Sequence, residues 1–146
     1  MLRNICGTVG RQVLVVDDDD IMRRGMRLAL EGDGWKVSEA EHGREALARL
    51  AETRPDVIVL DLMMPVMDGF EFLDEIRRRK EWREIPVLVV TAKDLTAQDR
   101  SRLNGDVERI LQKGALELDE LLREIARVLP GSIERGRGEK SAGKPE

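Results

Sequence analysis

The 146-residue chain has few of the residues that build disulfide-linked, metal–thiolate or membrane-spanning proteins. Cys6 is its only cysteine, which excludes an internal disulfide bond and a thiolate metal site. No apolar stretch approaches the length that a bilayer span needs, and the first ten residues lack the apolar core of a signal peptide. We therefore expect a cytoplasmic protein without a membrane partner.

Histidine, aromatic residues and net charge are also scarce. His42 is the only histidine, tyrosine is absent, and aromatic residues make up 3% of the chain. A net charge of −4 gives no positive field that would attract nucleic acid or anionic lipid, so we expect no nucleic-acid partner. The length and the 41% of hydrophobic residues suit one soluble domain with a two-sided core.

Four short apolar runs stand out in this sequence, and each one stops at a polar residue. Continuous β-branched runs of this length are typical of strands buried on both faces, which indicates a parallel sheet covered by helices. The runs at 13–16, 57–60, 87–90 and 110–112 are followed by Asp17 and Asp18, by Asp61, by Thr91 and by Lys113.

The polar residues at the ends of these runs should meet in one crevice, because open α/β sheets bind ligands at the carboxyl ends of their strands. The crevice would then hold three carboxylates, one hydroxyl and one ammonium. Such a group suits a divalent cation together with a phosphoryl group.

Helical segments lie between the strands, so the predicted order is a strand followed by a helix, repeated five times. Apolar residues recur at helical spacing from 22 to 30, and Asp20 is predicted to cap this first helix. A polar edge strand is predicted at 35–40, and Asp68-Gly69 is predicted to form a turn. The later helices are predicted at 43–54, 70–80, 96–104 and 117–129, with Leu118 on the inner face of the last.

The ordered pattern ends before the chain does. The domain is expected to span residues 12–130, after an N-terminal extension at 1–11. From Ser132 onward the composition turns to Gly, Lys, Arg and Glu with almost no apolar residues. We therefore expect a disordered polar tail at 131–146.

The four polar clusters resemble the receiver domain of two-component response regulators. They are Asp17-Asp18, Asp61 with the loop that follows it, Thr91-Ala92 and Lys113. An Asp-Asp pair alone is weak evidence, but all four clusters at successive strand ends are highly specific. The resemblance implies a flavodoxin-like, doubly wound α/β fold with five helices and a five-stranded parallel sheet of order 2-1-3-4-5. It also implies a phosphoacceptor that switches protein contacts and is not a turnover enzyme.

The resemblance further implies a magnesium site around the phosphoacceptor. Asp61 would accept the phosphoryl group and also bind Mg²⁺. Asp18 would bind the ion directly, Asp17 mostly through water, and Met63 through its backbone carbonyl. Asp19 extends the acidic run but is predicted to be solvated.

The remaining residues of the predicted site would bind the phosphoryl group itself. Lys113 would contact one phosphoryl oxygen and the Thr91 hydroxyl would donate to another. Ala92 is small where its backbone N–H must approach. His42 is interpreted as a surface residue, so the phosphodonor histidine should belong to a sensor histidine kinase or a phosphotransfer protein.

Two positions depart from the pattern of the family. Many receivers have a lysine followed by proline with a cis peptide bond, but Gly114 follows Lys113 here. A cis bond before a non-proline residue costs about 2.5 to 4 kcal/mol, so we expect a trans bond. Ile110 replaces the aromatic residue of the fifth strand, so a change at Thr91 would be transmitted by backbone or aliphatic repacking.

Other interpretations of the same residues stay open. The chain could be a stand-alone receiver, with an unknown downstream protein or a phosphorylation-dependent dimer as its output, or a receiver fragment of a hybrid sensor kinase. A haloacid-dehalogenase-type phosphatase also uses an aspartate nucleophile, Mg²⁺ and a lysine, and residues 17–19 contain its Asp-x-Asp pattern. A degenerate receiver is disfavoured because the acidic pair, the acceptor and the lysine are all present.

Overall fold

Five strands alternate with five helices along the part of the chain that the computed structural model describes, residues 11–115 and 117–128. The strands are β1 (Gln12–Val16), β2 (Lys36–Ala40), β3 (Val57–Leu60), β4 (Val87–Thr91) and β5 (Arg109–Gln112). The helices are α1 (Asp20–Gly32), α2 (Gly43–Glu52), α3 (Gly69–Arg78), α4 (Ala97–Leu103) and α5 (Leu118–Val128), and a 3-10 turn covers Lys113–Ala115.

All five strands are parallel and lie in the order β2-β1-β3-β4-β5. Strand β1 is hydrogen-bonded to β2 on one side and to β3 on the other, so that Val13 is in register with both Val37 and Val57. The strand order therefore reverses between β1 and β3, and the carboxyl ends of these two strands are neighbours. The predicted doubly wound, flavodoxin-like fold is confirmed.

The core has two layers, one on each face of the sheet. Successive side chains of a strand point to opposite faces, and the apolar runs of β1, β3 and β4 are buried on both. One layer joins Leu14, Val16, Ile58 and Leu60 to α2, α3 and α4, and the other joins Val13, Val15, Val57 and Val59 to α1 and α5. The residues that follow β1 and β3 thus extend from strands held on both sides.

The helices lie close to their predicted positions but differ at their ends. Helix α2 stops at Glu52, and the backbone is extended at Thr53, two residues before Pro55. Helix α3 stops at Arg78, two residues earlier than predicted, because the backbone becomes extended at Arg79. Leu118 was predicted to face inward, but it is 39% exposed as the first residue of α5.

The N-cap of α1 is Asp19, so the prediction of Asp20 as the cap was wrong, whereas Asp19 is exposed to solvent as predicted. Asp19 Oδ1 accepts hydrogen bonds from the N–H groups of Ile21 at 3.0 Å and Met22 at 3.1 Å. Asp20 lies inside the first turn and pairs with Arg23 at 2.6 Å. The helix starts before its apolar stripe does, because the capping hydrogen bonds and not the buried residues determine where it begins.

The trans peptide bond predicted between Lys113 and Gly114 is confirmed, since no peptide bond of the described residues is cis. None of the described helices is long and apolar enough to cross a membrane. The predicted tail at 131–146, and all but the last residue of the extension predicted at 1–11, lie outside the described residues.

Candidate functional site

Three carboxylates lie together at the edge of the sheet where β1 and β3 end. Asp17 and Asp18 directly follow β1, and Asp61 directly follows β3. One carboxylate oxygen from each lies within 4.8 Å of the other two. Asp17 and Asp61 are buried, whereas Asp18 is exposed. The cluster is therefore anchored in the protein and open to solvent on one side.

Lys113 reaches this acidic cluster from the turn after β5. Its Nζ lies 2.9 Å from Asp17 Oδ2 and 3.4 Å from Asp61 Oδ2. Burial favours the neutral amine, but the hydrogen bonds and charges of Asp17 and Asp61 outweigh it and raise the pKa of Lys113. The lysine therefore stays charged and offsets part of the negative charge of the site.

Asp17 is the most constrained of the three carboxylates. Burial raises its pKa above the ordinary value of 3.8, and the nearby Asp61 acts in the same direction, against hydrogen bonds from the Asp19 N–H and Lys113. Its Oδ2 is buried and accepts no well-directed hydrogen bond within the described residues, although Lys113 is close. This oxygen faces the ammonium group of Lys113, which offsets part of its charge.

Replacing Asp17 by asparagine should stabilise the metal-free domain at neutral pH. A raised pKa in the folded protein means that the folded chain keeps this proton to higher pH than the unfolded chain does. The stabilisation is present at acid pH and is lost as the pH rises through the folded pKa, so at neutral pH the carboxylate opposes folding. The melting temperature of Asp17→Asn in EDTA should exceed that of the original protein by a few degrees.

Added Mg²⁺ should raise the melting temperature of the original protein and have little effect on Asp17→Asn, because a ligand stabilises only the state that binds it. The same substitution at the exposed loop residue Asp94 is the control and should change neither value. An Asp17→Asn variant that melts below the original protein in EDTA would contradict the inference that the charged Asp17 carboxylate opposes folding at neutral pH.

The other predicted residues surround the same edge of the sheet. Thr91 ends β4 and is fully buried, and its Oγ1 accepts the N–H of Lys93 at 3.2 Å, which leaves the hydroxyl proton free to donate. Ala92 is the exposed residue that follows. The Met63 N–H donates to Asp61 Oδ1 at 3.3 Å and its side chain is 56% exposed. The role of the Met63 carbonyl as a metal ligand stays a prediction.

Two features near the site were not found from the sequence. Arg23 of α1 is buried and donates from Nη1 to the backbone carbonyl of Asp17 at 2.6 Å. Its position one helical turn after Asp19 and Asp20 is the signal in the sequence that could have indicated this contact. Gly69, noted only as part of a turn, lies against the backbone of Asp61.

Asp68 and His42, which are not predicted to belong to the site, each cap a helix. Asp68 is the N-cap of α3 in a capping box with Glu71, which agrees with its interpretation as a loop residue. His42 is half-buried and caps α2, and its Nδ1 accepts the Glu45 N–H at 3.2 Å. Its partial exposure agrees with the prediction of a surface residue between the second strand and the second helix, and its ring is hydrogen-bonded at the helix end.

The donor set of the acidic cluster fits Mg²⁺. It offers carboxylate oxygens, which are hard ligands, and no described histidine or cysteine belongs to the group. One oxygen from each carboxylate lies within 4.8 Å of the other two, and the exposed Asp18 leaves room for the waters that Mg²⁺ usually keeps.

A parallel α/β domain with an acidic cluster, a buried hydroxyl and a lysine at the carboxyl edge of its sheet belongs to the class of phosphoryl-handling domains. Comparison with known proteins identifies the family within that class. The family model of the response regulator receiver domain matches residues 13–126. The chain belongs to the receiver domain family of response regulators.

Curated relatives include complete response regulators. The chain is 37% identical over 132 residues to the response regulator MprA of Mycolicibacterium vanbaalenii, which covers 90% of this chain and 56% of that protein. It is 39% identical over 113 residues to the KDP operon transcriptional regulatory protein KdpE of Escherichia coli, which covers 76% of this chain and 49% of that protein. The chain thus spans about half the length of these relatives.

Solved structures agree with this assignment. The chemotaxis protein CheY4 of Vibrio cholerae is 32% identical with a TM-score of 0.75, covering 83% of this chain and all of that one. The receiver domain of the sensor histidine kinase PA1611 of Pseudomonas aeruginosa is 27% identical with a TM-score of 0.72, covering 82% of this chain and 96% of that one, and holds a magnesium ion in its active-site cleft. These findings do not support the alternative of a haloacid-dehalogenase-type phosphatase.

Proposed function

We propose that Asp61 accepts a phosphoryl group from a phosphohistidine of a partner sensor kinase or phosphotransfer protein. The observation that carries this proposal is the meeting of the three carboxylates with Lys113 at one edge of the sheet. Asp61 is favoured as the acceptor over its two neighbours. Asp17 is held more closely by Lys113, at 2.9 Å compared with 3.4 Å for Asp61, while Asp18 makes no contact with the lysine among the described residues.

In the transfer step, an oxygen of Asp61 forms a bond to phosphorus as the phosphorus–nitrogen bond of the phosphohistidine breaks. The electron pair of that bond returns to the imidazole, which leaves after taking up a proton. A carboxylate attacks a phosphoryl group only when the negative charge is neutralised and the groups are aligned. Lys113 supplies a fixed positive charge, and the Thr91 hydroxyl and the Ala92 N–H would donate to the other phosphoryl oxygens.

The residues that would hold Mg²⁺ are Asp17, Asp18, Asp61 and the backbone carbonyl of Met63. When bound, the ion supplies charge neutralisation that Lys113 alone does not provide. Support comes from the clustered carboxylate oxygens and from the exposure of Asp18, which gives an ion and its waters access to the cluster.

The output of phosphorylation would begin at Thr91. Its Oγ1 now accepts the N–H of Lys93, whose side chain pairs with Asp99 of α4 at 3.3 Å. A turn of the hydroxyl toward a phosphoryl group would change this connection and alter the surface made by α4, β5 and α5. The half-buried Ile110 would repack in place of an aromatic residue. An unknown downstream protein or a second copy of the chain would bind there.

The proposed functional unit is residues 12–130, acting in the cytoplasm through protein contacts and not through nucleic acid. Receiver domains are phosphoacceptors and generally not turnover enzymes, and we propose the same for this chain. Both a stand-alone receiver and a receiver of a hybrid sensor kinase are compatible with this unit.

The proposal is tested by incubating the protein with acetyl phosphate and Mg²⁺ and measuring its intact mass. We expect one phosphoryl group per chain, no uptake in EDTA, and loss of the group with hydroxylamine, which cleaves acyl phosphates. Continued turnover of a generic phosphate ester would indicate a phosphatase instead. A phosphoryl group that resists hydroxylamine would show that the acceptor is not a carboxylate.

A further inference from the structure

Arg23 is a charged residue that the proposed chemistry does not use, although its side chain is only 10% exposed. Its guanidinium donates to three acceptors, which lie after β1, in β2 and in the first turn of α1. Nη1 donates to the backbone carbonyl of Asp17 at 2.6 Å, Nε to Glu39 of β2 at 2.8 Å, and Nη2 to Asp20 of α1 at 2.6 Å. Burial favours the neutral form, but the bonds to Glu39 and Asp20 outweigh it and raise the pKa of Arg23, so the side chain is charged.

The carbonyl that accepts this hydrogen bond from Arg23 lies between the two carboxylate residues at the end of β1. The carbonyl of Asp17 belongs to the single peptide unit that separates Asp17 from Asp18. The Asp17 N–H donates to the carbonyl of Ala40 at 3.0 Å, so this residue is fixed on both sides. A rotation of the peptide plane would turn the two carboxylates relative to each other.

Asp18 depends on this backbone more than its neighbours do. Asp17 is held by the Asp19 N–H and Lys113, and Asp61 by the Met63 N–H and Lys113. Asp18 is exposed, and its carboxylate has no hydrogen bond or ion pair with any described residue. The backbone before Asp18 therefore sets the direction of its Cα–Cβ bond, and that direction decides where the carboxylate can reach.

We propose that Arg23 is a positioning residue for the magnesium site, acting through the Asp17 carbonyl to aim the Asp18 carboxylate at the ion. This inference rests on the proposed function. Arg23 does not touch the ion or the phosphoryl group; its bonds to Glu39 and Asp20 orient the guanidinium, and the guanidinium orients the peptide.

The experiment compares Mg²⁺ affinity, measured by titration calorimetry, in Arg23→Met and Arg23→Lys. Removal of a nearby positive charge alone would strengthen cation binding, whereas loss of positioning would weaken it. We expect Mg²⁺ affinity to fall roughly 10-fold or more in both variants, the effect typical of residues that orient metal ligands. Lysine keeps the charge but lacks the planar fork that serves three acceptors, so it should not restore affinity.

Arg27→Met is the matched control. Arg27 lies one turn further along α1 and also pairs with Glu39, but it is 46% exposed and has no contact with Asp17. Its Mg²⁺ affinity should be unchanged or slightly higher. Phosphoryl uptake by Arg23→Lys should be slow at low Mg²⁺ and should recover as Mg²⁺ is raised, since positioning affects ion binding first.

The possible results separate the two proposals. If the original protein binds no Mg²⁺ and takes up no phosphoryl group, the proposed function fails. If it does both, and a folded Arg23→Lys binds Mg²⁺ as tightly as the original protein, only the role of Arg23 is overturned. Arg23→Lys decides the question if Arg23→Met does not fold.

Discussion

Asp61→Asn is expected to take up no phosphoryl group from acetyl phosphate under conditions where the original protein is labelled. Asparagine has nearly the same shape as aspartate but lacks the carboxylate that attacks phosphorus, so the loss should be complete and not partial. The folded state should persist because the substitution removes a negative charge from a crowded acidic cluster. Intact mass and far-UV circular dichroism measure the two effects.

Asp68→Asn is the matched control for this experiment. Asp68 lies in the same loop, but it caps α3 through Oδ1, which accepts the Glu71 N–H at 2.9 Å. Asparagine is an equally good N-cap, so this variant should be labelled and should melt like the original protein. Label on Asp61→Asn that hydroxylamine removes would place the acceptor on another carboxylate, and Asp17 and Asp18 would then be tested in turn.

The fold could be predicted from sequence because its strongest signals are local. The apolar runs that became β1, β3 and β4 are buried on both faces, a property of parallel strands that appears directly in the sequence. Helix ends were less predictable. Asp19 and Asp20 are chemically identical caps, and only the geometry of the backbone N–H groups of Ile21 and Met22 selects the first.

The residues of the candidate site could be predicted from the sequence, but the hydrogen bonds that hold them in place could not. Asp17, Asp61 and Thr91 each lie at the carboxyl end of a parallel strand, and these ends share one edge of the sheet. The positions of the three residues in the sequence are therefore sufficient to predict that they cluster. The bond from Arg23 to the Asp17 carbonyl joins a helix interior to a strand end. No periodic pattern indicates it, because arginine is mostly exposed in proteins and the sequence alone does not show that this one is buried.

Gly69→Ala is expected to destabilise the domain and to displace Asp61. A Cβ atom on Gly69 would lie 2.6 Å from the backbone oxygen of Asp61 and 2.7 Å from the Cα of Leu62. Neither atom can rotate away as the end of a side chain could. The Gly69 N–H also donates to the Leu62 carbonyl at 3.0 Å, which holds the start of α3 against the chain that leaves β3. We expect a loss of about 1–3 kcal/mol in the free energy of unfolding.

Gly25→Ala is the control that distinguishes the clash at Gly69 from the general effect of replacing a glycine by alanine. Gly25 lies inside α1, and a Cβ atom there would meet nothing within 4 Å. Alanine should therefore stabilise the domain by about 0.5–1 kcal/mol, because glycine is a poor helix residue. Urea unfolding of the two variants should move in opposite directions, and equal stability of Gly69→Ala and the original protein would contradict the predicted clash.

Phosphoryl uptake by folded Gly69→Ala then tests how closely the site depends on this contact. If α3 moves away while β3 stays in place, stability falls but the rate of labelling does not. If the end of β3 moves instead, Asp61 shifts relative to Lys113, which now lies 3.4 Å from Asp61 Oδ2, and labelling slows as well. We expect the second result, because the added Cβ atom presses directly on the backbone of Asp61 and Leu62, and α3 cannot easily retreat while Phe72, Leu73 and Ile76 are buried in the core. Unchanged labelling in a destabilised variant would show that Gly69 serves packing alone.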